Sequence, residues 1–148
     1  MELTGDELAG VVDLFGGLTR EELRAACSEL AYRREGDADA VDADVSGAER
    51  AYRLVAVEGD DRTLLVPGPT AFPALPEGAE DLPHMLDVER RSVKEERALA
   101  AVTEQLRADA ASAVQSGDEE RVEELLDVTY DVEAWANTEL RELRERLA

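Results

Sequence analysis

The chain has 148 residues, with 16 basic and 36 acidic side chains and a formal charge of −20. That length fits one compact domain or two very small ones, and 44% hydrophobic residues are enough to build a core. No window approaches the roughly 18 apolar residues of a membrane span, and MELTGDELAG lacks the basic start of a secretory signal. Cys27, the one cysteine, has no partner for an internal disulfide.

The first segment, 3–17, carries both ends of a short helix. Thr4 and Glu7 have capping-box spacing, and Leu3 and Leu8 that of a hydrophobic staple. Leu8, Val11, Val12 and Phe15 form one apolar stripe, and Gly16-Gly17 stops it. Segment 18–36 repeats the device, with Thr19 and Glu22 as the box and Leu18 and Leu23 as the staple. Leu23, Ala26, Cys27, Leu30 and Ala31 are its buried stripe, and Gly36 follows Arg33-Arg34. Among small apolar neighbours, with no nearby histidine, Cys27 reads as a packed core thiol rather than a nucleophile.

Segment 37–45 is a loop or the start of a third helix, and Ser46 with Glu49 predicts a helix over about 46–53. RLVAVE and RTLLVPG, separated by Gly59-Asp60-Asp61, predict a β-hairpin. Helix, helix, helix, hairpin is the element order of a winged-helix unit over 1–66. All five prolines fall in 67–83, which predicts an extended connector. Its apolar Phe72 and Leu75 predict that it lies against the domain.

The rest, 84–148, reads as an antiparallel helical hairpin. Val93, Leu99, Val102, Leu106, Ala110 and Val114 form the first stripe, and Ser116-Gly117-Asp118 breaks it. A box from Ser116 to Glu119 restarts the helix. Val122, Leu125, Thr129, Val132, Ala136, Leu140, Leu143 and Leu147 continue a heptad-like seam, with a break placed near Asn137-Thr138. The fold class expected is mainly α with a small β-hairpin (α+β).

Few residues offer chemistry. His84, the only histidine, stands near Asp81, Asp87 and Glu89; a surface or capping role accounts for it better than general-base or metal chemistry. Asp42, Asp44, Ser46 and Gly47 match the first half of a calcium loop, but position 12 is Arg53 in place of the bidentate Glu. Phosphate-cradle and nucleophile-elbow motifs are missing, which argues against those enzyme classes. No catalytic or metal residue and no cofactor is assigned. Nucleic-acid contact, the second-ranked function, falls to Arg50, Arg53 and Arg62, although Asp37, Asp39, Asp42 and Asp44 precede them. The leading reading is a non-enzymatic interaction or regulatory module. Its partner would be a protein or a second copy bound through the C-terminal helices, with Tyr130 and Trp135 as candidate contacts, although core packing accounts for these two better.

Two resemblances bear on origin. Of the basic residues 15 are Arg and one is Lys94, and there is no Ile. With the acidic excess, this composition resembles a haloarchaeal proteome, where carboxylates keep a surface hydrated in brine. LLVPGPTAFPALPEGAEDLPHMLDVERRSV, the opening DELAGVVDLFGGLTREEL and the closing LLDVTYDVEAWA resemble an uncharacterised haloarchaeal family, a domain of unknown function. The resemblance implies a cytoplasmic haloarchaeal protein and brings no activity, cofactor or site residue with it.

Overall fold

The structure is a computed structural model that describes all residues, 1–148. It is mainly helical, 58% of residues, with a small β part. The order is β1 (Glu2–Leu3), α1 (Gly5–Phe15), α2 (Arg20–Glu35), β2 (Asp42–Ala43), α3 (Val45–Arg50), β3 (Leu54–Glu58), β4 (Thr63–Pro67), α4 (Leu82–Met85), α5 (Glu95–Ser116), α6 (Glu119–Trp135) and α7 (Arg141–Leu147). A 3-10 turn, Ala79–Asp81, precedes α4.

Local chemistry sets the first two helices. Both capping boxes form: the Thr4 and Thr19 hydroxyls accept the Glu7 and Glu22 amides, and those carboxylates accept the Thr amides in return. Gly16 and Gly36 end the helices in the left-handed conformation. The third helix starts earlier than Ser46 predicts. Asp44 is its cap, its carboxylate accepting the Gly47 amide at 2.9 Å, so Ser46 falls inside the first turn. Likewise Asp118, not Ser116, caps α6 by accepting the Arg121 amide, because Gly117 closes α5 directly after Ser116.

β3 and β4 pair antiparallel, Leu54 with Pro67 through Glu58 with Thr63. Both faces of this ribbon are covered. Leu54 and Leu65 join α1, α2 and α3 in one core around Leu8, Phe15, Leu23 and Leu30. Val55, Val57 and Val66 join α5, α6 and α7 in a second core around Val102, Leu106, Leu125 and Val132. Alternate residues of one strand therefore serve different cores, which explains why LVAV and LLV run apolar without alternation. β1 and β2 form a separate parallel pair, Glu2 with Asp42 and Leu3 with Ala43.

Three expectations need correction. The chain is not helical from 84 onward: α4 ends at Met85, and 86–94 runs without helix to α5. The cause is tertiary, since the Phe15 carbonyl accepts the Arg91 amide at 2.6 Å and Glu22 takes the Arg91 guanidinium. The proline-rich segment is not extended throughout. Turns at Pro69-Thr70 and Glu77-Gly78 interrupt it ahead of the 3-10 turn, and Pro83 lies in the first turn of α4, where its missing N–H costs nothing. Val114 is exposed and Ala113 fills that place in the second core. The break near Asn137-Thr138 is present and makes α7 a separate helix, pinned by Arg144 to Glu133 at 2.9 Å.

Candidate functional site

Tyr52 is the one non-glycine residue with positive φ, at 63°. Holding a bulky side chain there costs on the order of 1–3 kcal/mol, so the surroundings must enforce it. Its ring is fully buried in the second core, and its hydroxyl donates to Asp109 Oδ2 at 2.5 Å. Burial first, and then the Asp109 carboxylate, push the phenol well above its ordinary range, so it stays protonated. Asp109 also takes Arg121 Nη2 at 3.4 Å, and Arg121 bonds the Arg50 carbonyl at 3.0 Å.

The turn so fixed aims three carbonyls at the proline-rich segment. Arg53 O accepts the Gly68 amide at 2.8 Å, Tyr52 O accepts the Thr70 amide at 3.2 Å, and Ala51 O accepts the Thr70 hydroxyl at 2.7 Å. Gly68 is required here, because a Cβ would overlap the Tyr52 carbonyl. Further along, the Asp6 carboxylate accepts the Phe72 amide at 3.0 Å, and the Asp6 carbonyl accepts the Ala74 amide at 2.9 Å. Gly10 on α1 lets the Ala74 backbone sit against the helix, where any side chain would collide with it.

Each amide from Gly68 through Ala74 is thus bonded, the prolines having none to offer. The Phe72 side chain is nevertheless 82% exposed and Leu75 46% exposed. The segment does lie against the domain, but backbone bonds hold it there rather than burial of Phe72 and Leu75. From Thr63 to Pro76 it carries no charged residue, in a chain that is 35% charged. That interruption of charge is the one sequence signal that could have marked the segment, and the sequence reading of Phe72 and Leu75 as packing residues passes over it.

A second feature lies at the end of α6. Trp135, 37% exposed, borders a cleft of about 210 Å³ with Val66, Pro67, Val93 and Ala98, and Glu95 is the one charged residue on its wall. Tyr130 is 59% exposed, with the Arg144 guanidinium 4.4 Å from its ring centre, a cation–π contact that holds α7. The rest of the C-terminal seam, Leu125, Val132, Leu140, Leu143 and Leu147, is buried in the second core.

Among the other sequence candidates, Arg53 belongs to the anchoring of the proline-rich segment. Arg53 donates to the Thr70 carbonyl at 2.6 Å and pairs with Asp6 at 3.4 Å, and Arg62 pairs with its neighbour Asp61 at 3.5 Å. Arg50 is exposed at the end of α3. His84 is exposed on α4. Asp42 belongs to β2 with its side chain exposed, Asp44 caps α3 with its carboxylate, and no three His, Cys, Asp or Glu residues converge as a metal site. Cys27 is buried, and burial pushes its thiol up to about 11. No helix is long and apolar enough to cross a membrane.

Glu22 joins two structural tasks. It completes the α2 cap, and it receives Arg91 through two bonds of 2.5 and 2.8 Å. The Arg91 hydrogen bonds, helped by the Thr19 amide, hold its carboxyl at about 2. A depressed carboxyl stabilises above its unfolded value, and that contribution fades as pH falls from the ordinary 4.5 toward about 2. Glu22→Gln keeps the cap and removes the ion pair. It is expected to cost about 1–2 kcal/mol at neutral pH after solvent screening. Urea titrations should show that difference narrowing below pH 4.5; a difference constant with pH would refute the assignment.

These features define a small, mainly helical α+β protein. Among its exposed apolar elements are a backbone-anchored proline-rich segment and a tryptophan-edged cleft. The chain belongs to a family of unknown function, DUF7109, whose model matches residues 6–148. No curated protein and no solved structure matches it.

Proposed function

We propose that this protein is a non-enzymatic interaction module that presents Phe72 and Leu75 to a macromolecular partner. The observation that carries the reading is a full set of backbone bonds beneath a phenylalanine left 82% exposed. Ordering a segment costs conformational entropy, and here that cost is met on folding, before any partner arrives. Leaving a phenylalanine in water forgoes about 1.5–3 kcal/mol of burial, which binding recovers. Pro73 directly after Phe72 and Pro76 directly after Leu75 further restrict the display. Arg144 engages one face of the Tyr130 ring, and Trp135, at the edge of the cleft, is the contact assigned here.

Photo-crosslinking tests the reading. A benzophenone side chain at position 72 should give a discrete adduct in the native cell. The same group at Tyr32, also exposed at 59%, should not. Equal labelling from both positions, or none from position 72, would overturn it.

A further inference from the structure

We propose that the partner is a second copy of this chain, with Phe72 of each protomer inserted into the Trp135 cleft of the other. The proposal rests on the interaction reading above and deepens it. A projecting aromatic and an apolar hole occur on the same molecule, which is what a self-complementary interface requires. Phe72 is the projection, and Val66, Pro67, Val93, Ala98 and Trp135 form the hole.

Position supports the pairing. Pro67 lines the cleft, and Phe72 follows it by five residues, so the two lie at most about 18 Å apart. A standard interface covers about 800 Å² on each side, a disc roughly 30 Å across. Both elements are therefore close enough to share one such patch, and the proposed dimer places a two-fold axis between them so that both insertions form together.

Charge supports it as well. Two copies at −20 repel at long range, so a contact between them needs few carboxylates. The projecting segment has no charge from Thr63 to Pro76, the Trp135 stretch has none from Ala134 to Thr138, and the cleft wall has Glu95 alone. Two largely uncharged surfaces suit each other better than they suit a basic partner. The remaining repulsion acts through solvent. At about 1 M salt the screening length is about 3 Å, so association becomes favourable as salt is raised.

Light scattering on the full chain in about 2 M KCl is the test. Across roughly two decades of protein concentration the mass should rise from 16.2 kDa toward twice that value. Phe72→Ala removes a solvent-exposed side chain and should fold normally by circular dichroism, yet weaken association at least about thirtyfold. Trp135→Ala should do the same, and mixing the two variants should restore part of the association, since one intact insertion remains. If Trp135→Ala does not fold, the wild type still reports: Trp135 is the sole tryptophan, and its emission should shift blue with concentration and lose that shift in Phe72→Ala. A wild type that stays monomeric, or a dimer indifferent to Phe72→Ala, overturns the proposal. A monomer whose position 72 still crosslinks to a different macromolecule overturns the second-copy assignment alone and leaves the interaction reading standing.

Discussion

Raising KCl from about 0.1 M to 1 M is expected to lift the melting temperature by roughly 10–20 °C, the largest single effect on this protein. The cause is the charge of −20 gathered on one small folded body. At about 0.1 M the screening length is about 10 Å, comparable with the radius of the molecule, so most carboxylates repel one another. Unfolding spreads the same charges over a chain more than twice as wide and relieves the repulsion. Screening cuts that relief by several kcal/mol, a large part of ordinary domain stability. The few cations cannot do it alone. Several are committed to fixed pairs, such as Arg20 with Glu49, Arg91 with Glu22 and Arg144 with Glu133. Calorimetry across a KCl series checks this, with sucrose as the uncharged control. A melting temperature that changes by no more than in sucrose would remove electrostatic repulsion as the cause.

The second large effect is expected at Arg121. Its guanidinium, only 8% exposed as a residue, bonds Asp109 at 3.4 Å, Glu124 at 3.1 Å and the Arg50 carbonyl at 3.0 Å. It therefore ties the end of α3 to α5 and α6, across the boundary between sequence halves. Arg121→Ala leaves the Arg50 carbonyl without this donor and Asp109 with Tyr52 as its remaining partner. A loss of about 2–4 kcal/mol follows, or roughly 5–12 °C. Tyr52→Phe removes one hydroxyl and should cost about 1 kcal/mol. Because both side chains meet on Asp109, the double variant should be less destabilised than the sum. Arg107→Ala, an exposed cation on α5, is the reference. Equal melting temperatures for Arg121→Ala and Arg107→Ala would deny Arg121 its structural role.

Elements set by near neighbours are read more readily than those set by distant ones. Thr4, Glu7, Thr19 and Glu22 announce their helices because a capping box closes over three residues and needs nothing from outside. Gly59-Asp60-Asp61 announces the hairpin for the same reason. Where two local signals compete, the reading slips. Asp44 displaces Ser46 and Asp118 displaces Ser116, in each case a carboxylate a residue or two away reaching the same kind of amide. The stretch 86–94 contains no strong breaker, and its extended path comes from Phe15 and Glu22, residues more than sixty positions away.

The candidate site shows the same limit. Phe72 in a proline-rich run looks like a residue that packs, because apolar side chains usually do. Its exposure follows from the Tyr52 turn and from Asp6, which take up the backbone on the other side. Conversely, the seam from Leu125 to Leu147 has the spacing of a contact surface, and the β3–β4 ribbon and α5 cover it. Sequence by itself determined the charge, the helix starts and the hairpin, since each depends on neighbours a few residues apart. Tertiary structure decided which apolar residues face water. That depends on which distant segments bond and bury one another, and spacing along the chain does not carry that information.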